Sequence, residues 1–120
     1  METNKYRQIS FYKRYFEEFF ARLDGGVRDK IMWTLRLIEE IPQVPESYLK
    51  HLTGTDGLYE IRVKAGNGTF RIFCFFDQGR LIILLNGFQK KTQKTPRKEI
   101  ARALKMKKEY YEEKKQLKKS

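Results

Sequence analysis

Leu58-Tyr59-Glu60-Ile61-Arg62-Val63-Lys64, then Ala65-Gly66-Asn67-Gly68, then Thr69-Phe70-Arg71-Ile72-Phe73-Cys74-Phe75-Phe76, is the stretch that decides the fold. Its first part alternates, with Tyr59, Ile61 and Val63 on one side and Glu60, Arg62 and Lys64 on the other. That is the period of two of a half-covered strand. The Gly-Asn-Gly cluster supplies a hairpin turn. The run from Thr69 to Phe76 is apolar on both faces except at Arg71, which predicts a central strand. Asp77-Gln78-Gly79 marks a second turn, and Arg80 to Asn86 is a third, largely apolar strand. Three strands joined by short turns predict an antiparallel meander.

Upstream the period changes. Tyr12, Tyr15, Phe16, Phe19, Phe20 and Leu23 recur at spacings of three and four, with Lys13, Arg14, Glu17 and Glu18 between them. This predicts an amphipathic helix from Tyr12 to Leu23, stopped by Asp24-Gly25-Gly26. A second helix is predicted from Val27 to Ile41, with Val27, Ile31, Leu35 and Ile38 inside and Pro42 and Pro45 ending it. Residues Tyr6 to Phe11 suit a short first strand. A last helix is predicted from about Arg97 to Gln116, with Ile100, Leu104 and Tyr111 inward and Pro96 at its start. The order predicts an α+β fold: an N-terminal helical hairpin packed on one face of a small antiparallel sheet, followed by a C-terminal helix. The expected organisation is one domain over residues 1–104 and a basic helix end or tail over 105–120.

The chain has 120 residues and a formal net charge of +11. Residues 1–89 carry a net of only +2, so the excess sits from Lys90 onward. A basic block of that kind suits a polyanion, an acidic protein partner or plain solvation, and composition does not choose among them. One cysteine excludes an internal disulfide and points to a reducing compartment. One histidine beside that one cysteine leaves no set of Cys/His zinc ligands. The N-terminus has no apolar signal region and no stretch approaches a membrane span, so a cytoplasmic location is expected.

Glu60, Arg62, Lys64 and Arg71 are the charged residues of the predicted sheet. A charge in a central strand is costly unless it is paired or reaches an open surface. Arg71 therefore either pairs with Glu60 across the strands or joins Arg62 and the Lys90-Lys91 pair in a cationic concavity for phosphates. After the last strand, Asn86-Gly87-Phe88-Gln89-Lys90-Lys91-Thr92-Gln93-Lys94-Thr95-Pro96 combines lysines with an aromatic. Phe88 either stacks on a base while Lys90, Lys91 and Lys94 meet backbone oxygens, or it tucks into the core. His51 has no close partner in sequence and Cys74 sits in an apolar strand, so surface and core roles are expected of them.

Lys50-His51-Leu52-Thr53-Gly54, Gly57-Leu58-Tyr59-Glu60-Ile61-Arg62, Phe70-Arg71-Ile72-Phe73 and Leu84-Leu85-Asn86-Gly87-Phe88-Gln89-Lys90-Lys91-Thr92-Gln93-Lys94-Thr95-Pro96 together resemble the RelE/ParE toxin superfamily. The closest branch is the phage-derived, HigB-like group of type II toxin–antitoxin systems. The resemblance implies a RelE-like fold and a ribosome-dependent endoribonuclease that cleaves mRNA by 2′-OH attack. It implies no metal or other cofactor, and a HigA-like helix-turn-helix antitoxin as partner, beside the ribosome and its message. By position in the motifs it gives the catalytic roles to Arg62, Arg71 and Lys91, with Lys90 and Lys94 as supporting cations. Glu60 competes with Lys91 for the role of base if Arg71 does not hold it. Several relatives carry a His or Tyr near the C-terminal end of the site, whereas here neither follows Phe88 until Tyr110. The same fold also serves a ParE-like gyrase inhibitor that cuts nothing, and a non-catalytic RNA-binding or degenerate toxin is the third reading.

Overall fold

The computed structural model describes residues 5–119. The elements run β1 (Gln8–Phe11), α1 (Tyr15–Ala21), α2 (Gly25–Glu40), β2 (Leu49–His51), β3 (Leu58–Ala65), β4 (Gly68–Asp77), β5 (Leu81–Gln89) and α3 (Arg97–Lys119). The α+β architecture is as expected. The sheet is larger than the meander, with five strands in the order β1-β5-β4-β3-β2. It is mixed rather than purely antiparallel, because β1 lies parallel to β5, Gln8 opposite Leu81 and Phe11 opposite Leu84. The helical hairpin carries the chain from one sheet edge to the other, so β1 and β2 end up on opposite edges. Short turns betray only neighbouring strands, and the β1–β5 pairing has none. As expected, β4 is the central strand.

The helix boundaries differ from the periodicity for local reasons. Lys13 adopts a left-handed backbone (φ 54°) that separates β1 from α1. Tyr12 therefore extends β1, its N–H donating to Leu84 O at 3.2 Å, and it is buried on the face opposite α1. The glycines at 25 and 26 do not form the turn. They make the first turn of α2, and Asp24 caps it by accepting from Val27 N at 3.2 Å. At the other end Ile41, before Pro42, is extended. The Arg7 guanidinium closes that end, donating to Ile38 O (3.0 Å), Ile41 O (2.8 Å) and Pro42 O (2.8 Å). A cation at those free carbonyls also matches the helix dipole.

Two apolar clusters sandwich the sheet. On one face, Phe16, Phe19, Ile31, Leu35 and Ile38 of the hairpin pack on Ile61, Val63, Phe70, Ile72, Ile82 and Leu84. On the other, Ala103 and Met106 of α3 pack on Leu58, Phe73, Phe75, Ile83 and Leu85, with Ile100, Leu104, Tyr110 and Tyr111 around them. The helix α3 is continuous from Arg97 through residue 105 to Lys119. It runs toward the Asp77 end of β4, where Tyr110 OH (2.7 Å) and Lys114 Nζ (2.8 Å) bond Asp77 Oδ2. The Glu60–Arg62–Arg71 end of the same face has no helix over it. That half-open face is where the charged residues gather.

Candidate nucleic-acid interface

Strand register builds the cluster. Arg62 faces Arg71 across β3 and β4, Lys50 of β2 faces Glu60, and Phe88 of β5 faces Arg71. All therefore share the sheet face of Phe73 and Phe75. Two arginines directly opposite would repel. Glu60, one step along, resolves this: its Oε1 accepts from Arg62 Nε at 3.2 Å and lies 3.5 Å from Arg71 Nε. The second oxygen, Oε2, accepts from the Thr95 hydroxyl at 2.9 Å. Glu60 is only 1% exposed. Arg71 is thus ion-paired with Glu60, as the first reading expects, and also sits beside Arg62.

The condition under which Glu60 would act as a free base is not met, because both of its oxygens are engaged. Arg71 is 8% exposed, its Nε has no hydrogen-bond partner, and one terminal nitrogen donates to Phe70 O at 3.2 Å. Burial pulls the Arg71 pKa below the usual guanidinium range; Glu60 opposes that shift and Arg62 adds to it.

The connection after β5 adds the lysines. Lys90 is half-buried, with its N–H on Thr69 O at 2.7 Å. Its ammonium pKa is lowered first by burial and then by the charge of Arg71, with Arg62 and Lys50 adding and Glu60 opposing. The lysine crowded by other cations is therefore Lys90, whereas Lys91 and Lys94 are exposed along the strap to Thr95. Lys64 lies exposed near the hairpin end, opposite Thr69. Phe88 is half-buried and stacks on Phe73, centroids 5.5 Å apart, so it forms the floor beside Arg71.

A bulge sets this placement. Leu84 pairs with Cys74 but Gly87 pairs with Ile72, so β5 holds one residue more than β4. Gly87 is needed there, because a Cβ would stand 2.6 Å from the Phe19 ring.

Three residues fall outside the cluster. His51 belongs to β2 on the other sheet face, edge-on to Tyr59 at 5.1 Å. Cys74 is fully buried, which pushes its thiol pKa up. Tyr110 is at the Asp77 end, six residues along β4 and about 20 Å from Arg71. Two residues join the cluster that spacing alone did not single out. Lys50 comes from a strand of three residues, too short for periodicity to reveal, and Thr95 comes from a strap whose course only the fold defines. Among the described residues no three His, Cys, Asp or Glu side chains converge as a metal site would require. Nor is any described helix long and apolar enough to cross a membrane.

Chemically, the cluster offers two fixed guanidiniums, a depressed-pKa ammonium and a further lysine around one internal carboxylate. Such a set of cations has the chemistry to pair with an oxyanion. A family model described as phage-derived protein Gp49-like (DUF891) matches residues 18–108, which takes in every residue of the cluster. No curated protein matches the chain.

Proposed function

Since the chain belongs to the Gp49-like family of phage-derived proteins, a toxin-like family, we propose that it is the toxin of a toxin–antitoxin pair and cleaves mRNA at the ribosome. The observation that supports this reading is the Arg62–Glu60–Arg71 cluster with Lys50 and Lys90, set on the half of the sheet that α3 leaves open. Residue types, not metal ligands, define the chemistry proposed. The 2′-OH of a ribose attacks the adjacent phosphorus, the P–O5′ bond breaks, and a 2′,3′-cyclic phosphate and a 5′-hydroxyl result.

The pentacoordinate transition state carries more negative charge than the substrate. Arg71 and Arg62, held in place beforehand by Glu60, stabilise that charge without reorganising. Lys90, whose ammonium is destabilised by burial and then by Arg71, takes the 2′-OH proton in its neutral form and returns it to the departing 5′ oxygen. Lys64, Lys91 and Lys94 bind flanking phosphates, and Phe88 supports the floor. Glu60 acts as a positioning residue. An ordered message on the ribosome supplies the alignment the small site lacks. A helix-turn-helix antitoxin neutralises the toxin.

Induction in bacteria followed by mapping of mRNA 5′ ends tests this. Growth arrest with new 5′ ends inside translated codons, abolished by Arg71→Ala, is the expected result. Arrest with intact messages would overturn it in favour of a protein target such as gyrase, and no arrest would leave a non-catalytic RNA binder.

A further inference from the structure

Pairing of β2 with β3 ends just past Ile61, where the Arg62 N–H donates to Tyr48 O at 2.8 Å. Beyond it the edge of β3 borders a cleft of about 390 Å³ lined by Lys30 and Thr34 of α2, Ser47 and Tyr48 before β2, and Arg62 and Arg71. The cleft thus begins at the guanidiniums of the cluster and ends at aromatic surface. Tyr48 is half-buried, and its ring stands edge-on to Trp33, centroids 6.0 Å apart. Trp33 is 44% exposed, although aromatic residues of α2 would ordinarily be packed inward. Lys30 Nζ lies over the Trp33 ring, 4.3 Å from its centroid, an arrangement that keeps a cation at the aromatic rim. Arg71, itself more than nine-tenths buried, lines this cleft while its Nε stays ion-paired with Glu60 at 3.5 Å. Arg62 reaches the same wall, one terminal nitrogen 3.5 Å from Glu46 O.

We infer that this cleft is a nucleobase subsite, taking the base next to the phosphate held by Arg62 and Arg71, with Tyr48 as its stacking wall. The inference rests on the reading of the cluster as an RNA site and adds a second contact that phosphate binding does not require. Its chemistry is that of single-stranded nucleic-acid recognition, in which cations track the backbone and an aromatic ring receives an unstacked base. The cleft is open enough for any base, so the expected preference is for the presence of a base rather than for its identity. A polypeptide strand laid along the edge of β3 past Arg62 is the competing occupant; its carboxylates could meet the guanidiniums, but it would not need an aromatic wall at Tyr48.

The chain has one tryptophan, and Trp33 reports on the cleft through its contacts with the lining residues Tyr48 and Lys30. The full chain is titrated at low salt with a short single-stranded RNA, and separately with an abasic ribose-phosphate oligomer of equal length and charge, exciting at 295 nm. Saturable quenching of Trp33 by the RNA is expected, with affinity about fivefold or more above the abasic oligomer. Tyr48→Leu, which keeps apolar bulk, is expected to remove that difference, and Tyr48→Phe to retain it. Equal affinity for the two oligomers with unchanged Trp33 emission would overturn the subsite while leaving the phosphate site intact. The cleft would then fall to a partner strand. Binding of neither oligomer by wild type would instead overturn the RNA reading itself, so the two failures are distinct.

Discussion

Replacing Glu60 by glutamine keeps the shape of the side chain and removes its charge. The Glu60 side chain is 1% exposed and that of Arg71 9%, so the pair is shielded from water, whereas Arg62 at 27% retains solvent. Removing one partner of a buried pair costs about 3–5 kcal/mol, because the remaining charge is left uncompensated. Arg62 adds little to that cost, and the glutamine oxygen can still accept from Thr95. The low end, about 3 kcal/mol, is therefore expected. For a chain of this size that lowers Tm by roughly 12 °C.

The second arm is the double variant Glu60→Leu/Arg71→Met, which replaces both charges by apolar groups. It is expected to recover at least about 2 kcal/mol relative to the sum of the single variants Glu60→Leu and Arg71→Met. Urea unfolding followed by circular dichroism measures all of these. If Glu60→Gln lies within about 1 kcal/mol of wild type, or if the double variant is as unstable as the sum of its singles, the guanidiniums are not held by the carboxylate and the account of the cluster fails.

Arg71→Lys keeps the charge and loses the fork; message cleavage in a purified translation system is expected to fall by about 10²–10³-fold with little change in Tm. If Lys90 is the proton acceptor, cleavage rises with pH as it loses its proton and levels off below the ordinary lysine range, and a flat profile is expected for Lys90→Arg. Gly87→Ala drives a methyl into the Phe19 ring, 2.6 Å away, and is expected to lower stability by about 1–3 kcal/mol in urea titration. At Asp77 burial alone would raise the carboxyl pKa, but hydrogen bonds from Lys114 and Tyr110 outweigh it and hold it below the usual carboxylate range. Its stabilising contribution is therefore present above the unfolded carboxylate pKa and lost as pH falls through the folded value. The difference in urea midpoint between wild type and Asp77→Asn should accordingly shrink on going from pH 6 to pH 2.5.

What the sequence revealed and what it hid divide along physical lines. The β3–β4–β5 meander was legible because strand period and turn residues are local properties, and Arg71 stood out because a charge in an apolar run demands an explanation. The helical hairpin was legible from its spacing, but Asp24 serves equally as a stop and as a cap, and only the fold shows that it caps α2. The β1–β5 pairing was hidden because nothing in four residues names a distant partner, and β2 was hidden because three residues show no period. The same reason hid Lys50, which enters the cluster through the β2 register, and concealed that Lys90, not Lys91, is the lysine set beside the arginines. Two adjacent lysines in a strand-to-strap transition point apart, and periodicity does not say which of them turns inward.

The parallel pairing of β1 with β5 orders events during synthesis. Gln8 emerges early, yet its partner Leu81 is made about 70 residues later, which at ordinary elongation rates is roughly 4–14 s. Until then β1 has nowhere to dock and the hairpin that follows it has only part of its sheet. Lys90 and the Thr95 hydroxyl that secures Glu60 come later still, and α3 last of all. A nascent or truncated chain ending within β5 would therefore possess both arginines of the cluster without the residues that complete it. The order of translation withholds the finished site until the final quarter of the chain has left the ribosome.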